Sequence, residues 1–174
     1  AANVDFGNAP HKDGAPTASS IILVTPDATR SMNTFLGACI EMQPEDIIEE
    51  YVAAAKVIYL EGYLFDAPAG PAIFERAASL AAKHDTKISV SLSDPWCAER
   101  HRDALGKFVR DNVDILFANE DEAASLCNSS IPEAVDMLLG MVQEMAITRG
   151  PQGAFIGANG DVQEVSAMPQ GEVV

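Results

Sequence analysis

The stretch Val113-Asp114-Ile115-Leu116-Phe117-Ala118-Asn119-Glu120-Asp121-Glu122-Ala123 joins a buried-strand signal directly to a cluster of carboxylates. Its apolar run, with β-branched and aromatic side chains, predicts a strand buried on both faces, and the Glu-Asp-Glu-Ala-Ala-Ser-Leu beyond it reads as a helix start. The polar group therefore falls at a strand's carboxyl end, the edge of an open α/β sheet where ligands bind. Glu120 and Asp121 are read as complements to the helix dipole. Asn119 and Glu122, three residues apart, meet around the helix start, where an amide and a carboxylate either cap the helix or hold a hydrated divalent cation. Residue type and spacing leave both open.

Outward from this stretch the chain alternates. Strands are predicted over residues 56–60, 87–92 and 145–148, and helices over 44–55, 71–84, 98–110 and 132–142. Pro44 at a first helical position, followed by Glu45 and Asp46, marks one start. Ile73, Ala77, Leu80 and Ala81 follow the helical period in another, with alanines small enough for close packing on a sheet. Such β-α alternation is the signature of a parallel sheet with right-handed crossovers.

The flanks differ. Residues 1–16 read as loop with a short strand at Val4-Asp5-Phe6, and 19–25 and 30–36 as an antiparallel hairpin turning at Pro26-Asp27-Ala28-Thr29. After Gly150 the period is two again, and Asn159-Gly160 between residues 153–158 and 161–167 is a strong hairpin signal. The domain reading is one partial domain over 1–174, with a lid or hairpin region over about 1–38 and an α/β core over 39–174.

With 174 residues and 48% hydrophobic residues the chain can bury a core. Its 26 Asp and Glu against 11 Lys and Arg give a net charge of −15, which argues against nucleic acid or an anionic membrane as partner. A nucleotide is compatible only with local help from helix N-termini, backbone amides or a metal ion. Cys39, Cys97 and Cys127 are odd in number and far apart, so neither a disulfide framework nor a zinc spacing is expected, and a reducing cytoplasm is the simplest location. The start at Ala1-Ala2 and the uncapped end at Gly171-Glu172-Val173-Val174 suggest a fragment.

If the sheet is parallel, Glu61, Asp94, Asn119 with Glu122, and Thr148-Arg149-Gly150 share one edge. Each has a plainer reading. Glu61 is a loop acid or an acceptor for polyol hydroxyls, Asp94 before Pro95 is a turn or cap residue, and Thr148-Arg149-Gly150 is a strand end with a turn glycine.

Glu61-Gly62-Tyr63-Leu64, Ser91-Leu92-Ser93-Asp94, the organising stretch, and Thr148-Arg149-Gly150-Pro151-Gln152-Gly153, in this order and spacing, resemble the middle of a ribokinase-like (phosphofructokinase B-type) sugar kinase. Val24-Thr25-Pro26-Asp27 and Arg30 to Ala38 are similar to the adenosine kinase-like branch. The resemblance spans nearly the whole chain and implies a three-layer, Rossmann-like α/β fold with a parallel sheet, a lid hairpin near the N-terminus and a C-terminal β-hairpin. It implies ATP as co-substrate with Mg2+, and a sugar or nucleoside as acceptor. By the same resemblance Asn119 and Glu122 position the metal through water and bind nucleotide, Thr148 and Gly150 lie on the nucleotide side, Glu61 binds substrate, and the lid forms a homodimer. The family's Gly-Ala-Gly-Asp element, whose amides form an anion hole and whose Asp is the base, does not occur in these residues, and neither does the N-terminal substrate motif. An inactive fragment of a kinase is therefore expected. A non-catalytic nucleotide-binding or dimerisation module is the alternative, and a Rossmann dehydrogenase is disfavoured because no Gly-x-Gly-x-x-Gly opens a helix after a strand.

Overall fold

A computed structural model of the protein describes residues 4–10 and 13–168. The chain's first and last residues, including Ala1-Ala2 and Gly171-Glu172-Val173-Val174, lie outside these. Two sheets form. In the first, β1 (Ser19–Val24) pairs antiparallel with β2 (Arg30–Phe35). Its turn has Ala28 in the left-handed region (φ 63°), and Asp27 ties it by accepting hydrogen bonds from the hydroxyl of Thr25 and from the backbone and hydroxyl of Thr29.

The second sheet has six strands in sequence order: β3 (Val57–Glu61), β4 (Lys87–Ser91), β5 (Ile115–Asn119), β6 (Glu144–Thr148), β7 (Ala154–Ala158) and β8 (Asp161–Val165). The first four are parallel and the last two return antiparallel. Asn159 (φ 54°) and Gly160 (φ 83°) make the β7–β8 turn, the two positive φ values a tight hairpin of this twist requires.

The helices are α1 (Glu49–Ala54), α2 (Gly70–His84), α3 (Pro95–Arg100), α4 (Arg102–Asn112), α5 (Glu120–Cys127) and α6 (Ile131–Leu139). They cover one face of the sheet, the one presenting Leu60, Ile88, Val90, Leu116, Ala118, Met145 and Ile147. Phe74 of α2 centres this core, its ring edge-on to Phe65 at 4.5 Å and to Phe108 of α4 at 4.9 Å. Alternate residues on the opposite face stay exposed, among them Val57, Tyr59, Phe117 and Ile156. Ser89, on the same face, is buried, and its hydroxyl has no hydrogen-bond partner among the described residues.

Three expectations need correction. Val4-Asp5-Phe6 forms no strand: among the described residues it has no partner strand to supply the backbone bonds an extended segment needs. The helix expected over residues 44–55 is a 3-10 turn (Pro44–Asp46) followed by α1, because Ile47 and Ile48 adopt extended backbone angles between them. The helix expected from residue 98 starts at Pro95 and is divided at His101, so α3 and α4 are separate.

Glu49 ties α1 to α2, accepting from Lys83 Nζ at 2.6 Å and facing His84 Nε2 at 2.8 Å. Hydrogen bonding from Lys83, then from His84, holds the Glu49 carboxyl down to about 2 from an ordinary 4.5. A folded-state value below the unfolded one means stability that is complete above pH 4.5 and is lost as pH falls through about 2. Denaturant unfolding across this window should show the wild type losing stability more steeply than Glu49→Gln; parallel curves would remove the cluster from the fold's acid response.

Candidate functional site

Strand register decides which residues meet. Glu61 is level with Ser91, Ser91 with Phe117, and Asn119 with Thr148, so the carboxyl ends of β3 to β6 form one edge. Gly62 turns the chain off β3 so close to β4 that a Cβ there would lie 2.4 Å from the Leu92 carbonyl oxygen. Ser93, in the left-handed region at φ 66°, bridges the two strand ends: its hydroxyl donates to Glu61 Oε2 at 2.8 Å and accepts from the Gly62 amide at 2.9 Å. Tyr59 donates to the other Glu61 oxygen at 2.9 Å. Glu61 itself is exposed, its carboxylate oriented by two hydroxyls and facing solvent. Asp94 caps α3, accepting from the Cys97 amide at 2.9 Å.

Asn119 and Glu122 form a reciprocal cap on α5. The Asn119 side-chain oxygen accepts from the Glu122 amide at 2.9 Å, and Glu122 accepts from the Asn119 amide at 2.9 Å and from its side-chain nitrogen at 2.8 Å. Glu122 is only 7% exposed. Burial, and then the negative charges of Asp94, Asp121 and Glu61, push its carboxyl up, although the Asn119 amide pulls the other way. Tyr63 is also raised, by burial and then by Asp94 and Glu122. Residues from three strand ends thus share one electrostatic neighbourhood.

Thr148 ends β6, and the turn beyond it is held by Arg149, which reaches Glu120, Glu164 and Gln152 and stacks on Phe155 with its guanidinium carbon 4.2 Å from the ring centroid. Gly153 (φ 104°) has no room for a side chain, since a Cβ would lie 1.9 Å from the Val165 carbonyl oxygen. Gly150 is also in the left-handed region (φ 53°) but faces open space. Every residue read as a site candidate from the sequence therefore lies along this edge, with Asp94 acting on Glu122 more strongly than Glu61 does. Sequence reading missed Ser93, Tyr59 and the bracing by Arg149. Ser93 lies within the quoted Ser91-Leu92-Ser93-Asp94, but nothing in that tetrapeptide signals a left-handed backbone.

A parallel sheet with converging acids at its carboxyl edge and an antiparallel hairpin beside it defines a ribokinase-like fold, and the chain belongs to the pfkB family of carbohydrate kinases, whose profile matches residues 1–174. It is 37% identical to adenosine kinase from Sinorhizobium meliloti, superposing with a TM-score of 0.90 over 97% of this chain and 52% of that one. With the guanosine-inosine kinase of Escherichia coli (strain K12) it shares 27% identity over 145 residues, covering 81% of this chain and 33% of that protein. An E. coli structure assigned as ribokinase II, in complex with ATP and Mg2+, shares the fold at 23% identity and a TM-score of 0.73, over 88% of this chain and 52% of that one. The chain thus spans about half the length of these solved relatives and a third of the curated one. No helix among the described residues is long and apolar enough to cross a membrane.

Asn119→Ala removes the acceptor for the Glu122 amide and one donor to a buried carboxylate. Urea unfolding should show a loss of about 1–3 kcal/mol, the sum of a missing cap and a less satisfied buried charge. A loss below about 0.5 kcal/mol would mean that the cap is redundant in this fold.

Proposed function

We propose that these residues are part of an ATP-dependent kinase that phosphorylates a hydroxyl of a nucleoside, with a simple sugar as the second acceptor class. The observation that carries this reading is the convergence of Glu61, Asn119 with Glu122, and Thr148 with Gly150 on one sheet edge in a chain of the pfkB family. The nucleoside preference draws on the adenosine and guanosine-inosine kinases among its relatives. It also draws on Tyr63 and Trp96, which are exposed aromatics on the segments carrying Glu61 and Asp94 and offer flat faces to a base.

In this reading Glu61, oriented by Tyr59 and Ser93, accepts hydrogen bonds from the acceptor's hydroxyls. Thr148 and Gly150 flank the nucleotide. Both Glu122 oxygens already accept from Asn119, so the pair fits Mg2+ only through water, using the lone pairs that remain. Burial is the main cause of the raised Glu122 carboxyl, and a cation here would offset the added repulsion from Asp94, Asp121 and Glu61. Bound magnesium would neutralise phosphate charge as transfer proceeds, and the chain's own residues position the reactants.

Two features support the proposal that this is one portion of a larger catalytic unit: the coverage of 52% of the adenosine kinase and 33% of the guanosine-inosine kinase, and a sheet face left open with Val57, Tyr59, Phe117 and Ile156 exposed. The antiparallel β1–β2 sheet, with Ile21, Leu23, Met32 and Phe35 exposed, suits a lid over the acceptor that also pairs with a second copy. A non-catalytic nucleotide-binding or dimerisation module of the same fold is the second reading.

A coupled ADP-release assay separates the two. The 174-residue chain should give no turnover with adenosine, guanosine or ribose, because removing transition-state anion donors costs on the order of a hundredfold each. A longer chain with the Gly-Ala-Gly-Asp element should turn over a nucleoside, and Glu122→Gln in it should lower kcat in a way that added Mg2+ partly restores. A longer chain that binds ATP without turnover would favour the module reading, and an unchanged kcat across a magnesium titration would leave Glu122 as a helix cap alone.

A further inference from the structure

Behind the sheet edge lies a second cluster that the kinase reading does not use. Among the described residues, Asp66, Cys97 and His101 place a carboxylate oxygen, a thiol sulfur and an imidazole nitrogen within 4.8 Å of one another. Three different donor types meet for a structural reason. Cys97 and His101 are separated by one helical turn, with the His101 amide bonded to the Cys97 carbonyl at 3.0 Å, so both side chains leave the same face at the end of α3. Asp66 closes the 3-10 turn Gly62–Asp66, which begins one residue after Glu61, and brings its carboxylate over that face. The sequence contains this i, i+4 Cys-His pair, but counting cysteines alone hides it, and its third member is 31 residues upstream of Cys97.

We propose that Asp66, Cys97 and His101 form a site for a thiophilic divalent cation of the zinc class, separate from the magnesium at the sheet edge. Carboxylate, thiolate and imidazole are the donors such a cation takes, and three protein ligands with one open position are a common zinc arrangement. Zinc bonds of roughly 2.0–2.3 Å in a tetrahedron put donor atoms roughly 3.3–3.8 Å apart, so the donors need adjust by only about an ångström. Arg100 grips both Asp66 oxygens, but unequally, and the contact from its Nε to Oδ1 is the long one at 3.3 Å. Oδ2 accepts from Arg100 at 2.6 Å, while Oδ1 faces His101 Nε2 at 2.8 Å. A cation replacing the proton between Oδ1 and Nε2 would compete with the long Arg100 Nε contact and leave the short one to Oδ2 as the outer bond that orients the carboxylate.

The opposing effects set the strength of the site. Cys97 is fully buried and donates its thiol to the Gly62 carbonyl at 3.3 Å, so forming the metal–sulfur bond releases the thiol proton to solvent and gives up that hydrogen bond. The nearby Arg100 guanidinium repels the incoming cation. In its favour, the side chains of Asp66 and His101 are 38% and 29% exposed, giving the cation a path in, and the chain's −15 charge raises its local concentration. Occupancy would pin the Gly62–Asp66 turn to α3 and so fix the chain next to Glu61.

Cobalt(II) and zinc(II) alone are the probes. In a Cys39→Ser/Cys127→Ser background, cobalt should give one equivalent of a thiolate-to-cobalt charge-transfer band that zinc abolishes. Cys97→Ser should remove the band. His101→Gln, far less demanding on the core, should weaken affinity by about tenfold or more, with far-UV circular dichroism confirming the fold of each variant. Arg100→Gln tests the same geometry from outside and should change affinity while keeping the band. No thiolate band in the folded background protein, or a band and affinity unchanged by His101→Gln, would overturn the site; cobalt bound without a band would assign the binding to surface carboxylates.

Discussion

The junction between β5 and α5 depends on two side chains satisfying each other. Asn119 and Glu122 exchange three hydrogen bonds, of 2.8 to 2.9 Å, at the point where a strand buried on one face becomes a helix. The exchange leaves Glu122 buried with its charge held in place. Removing such a carboxylate from water is unfavourable unless donors replace the lost hydration, and here one residue supplies two of them. The cap and the proposed metal-orienting role are therefore compatible: a carboxylate immobilised by its cap can order a water toward solvent without moving.

The same logic extends along the edge. Ser93 and Tyr59 orient Glu61 as Asn119 orients Glu122, so the strand-end acids are held by neighbouring hydroxyls and amides and need no salt bridge. Arg149 is committed elsewhere, to Glu120, Glu164, Gln152 and Phe155, where it fixes the turn after β6. Among the described residues, Arg149 pairs with Glu120 at this edge, while Glu61, Asp94 and Glu122 have no ion pair of their own. The described helices cover one face of the sheet, and the hairpin β1–β2 projects with both faces exposed. An isolated two-stranded sheet is marginally stable in water.

Hydrophobic periodicity made most of the fold legible. Alanine-bearing helices and half-buried strands produce patterns that local sequence reports directly, although β5, expected to be buried on both faces, leaves Phe117 exposed on one; Asn159-Gly160 marked its turn because few other residue pairs accept two positive φ values. The misses were local: Ile47 and Ile48 fit a helical stripe yet lie in an extended break, and Val4-Asp5-Phe6 had the residues of a strand but no partner among the described residues.

For the site, the sequence by itself determined which residue types stand at the strand ends, since motif spacing is a property of the chain. Only the tertiary structure decided what they touch. The reciprocal cap of Glu122 depended on where its oxygens point, and the bridge from Ser93 to Glu61 on a left-handed backbone and a parallel register joining residues 32 apart. The grouping of Asp66 with Cys97 and His101 was likewise invisible, because it depends on a 3-10 turn and a one-turn helical spacing meeting in space. Spacing along a chain fixes neighbours within a helix or strand; contacts between elements follow from the packing of the core that carries them.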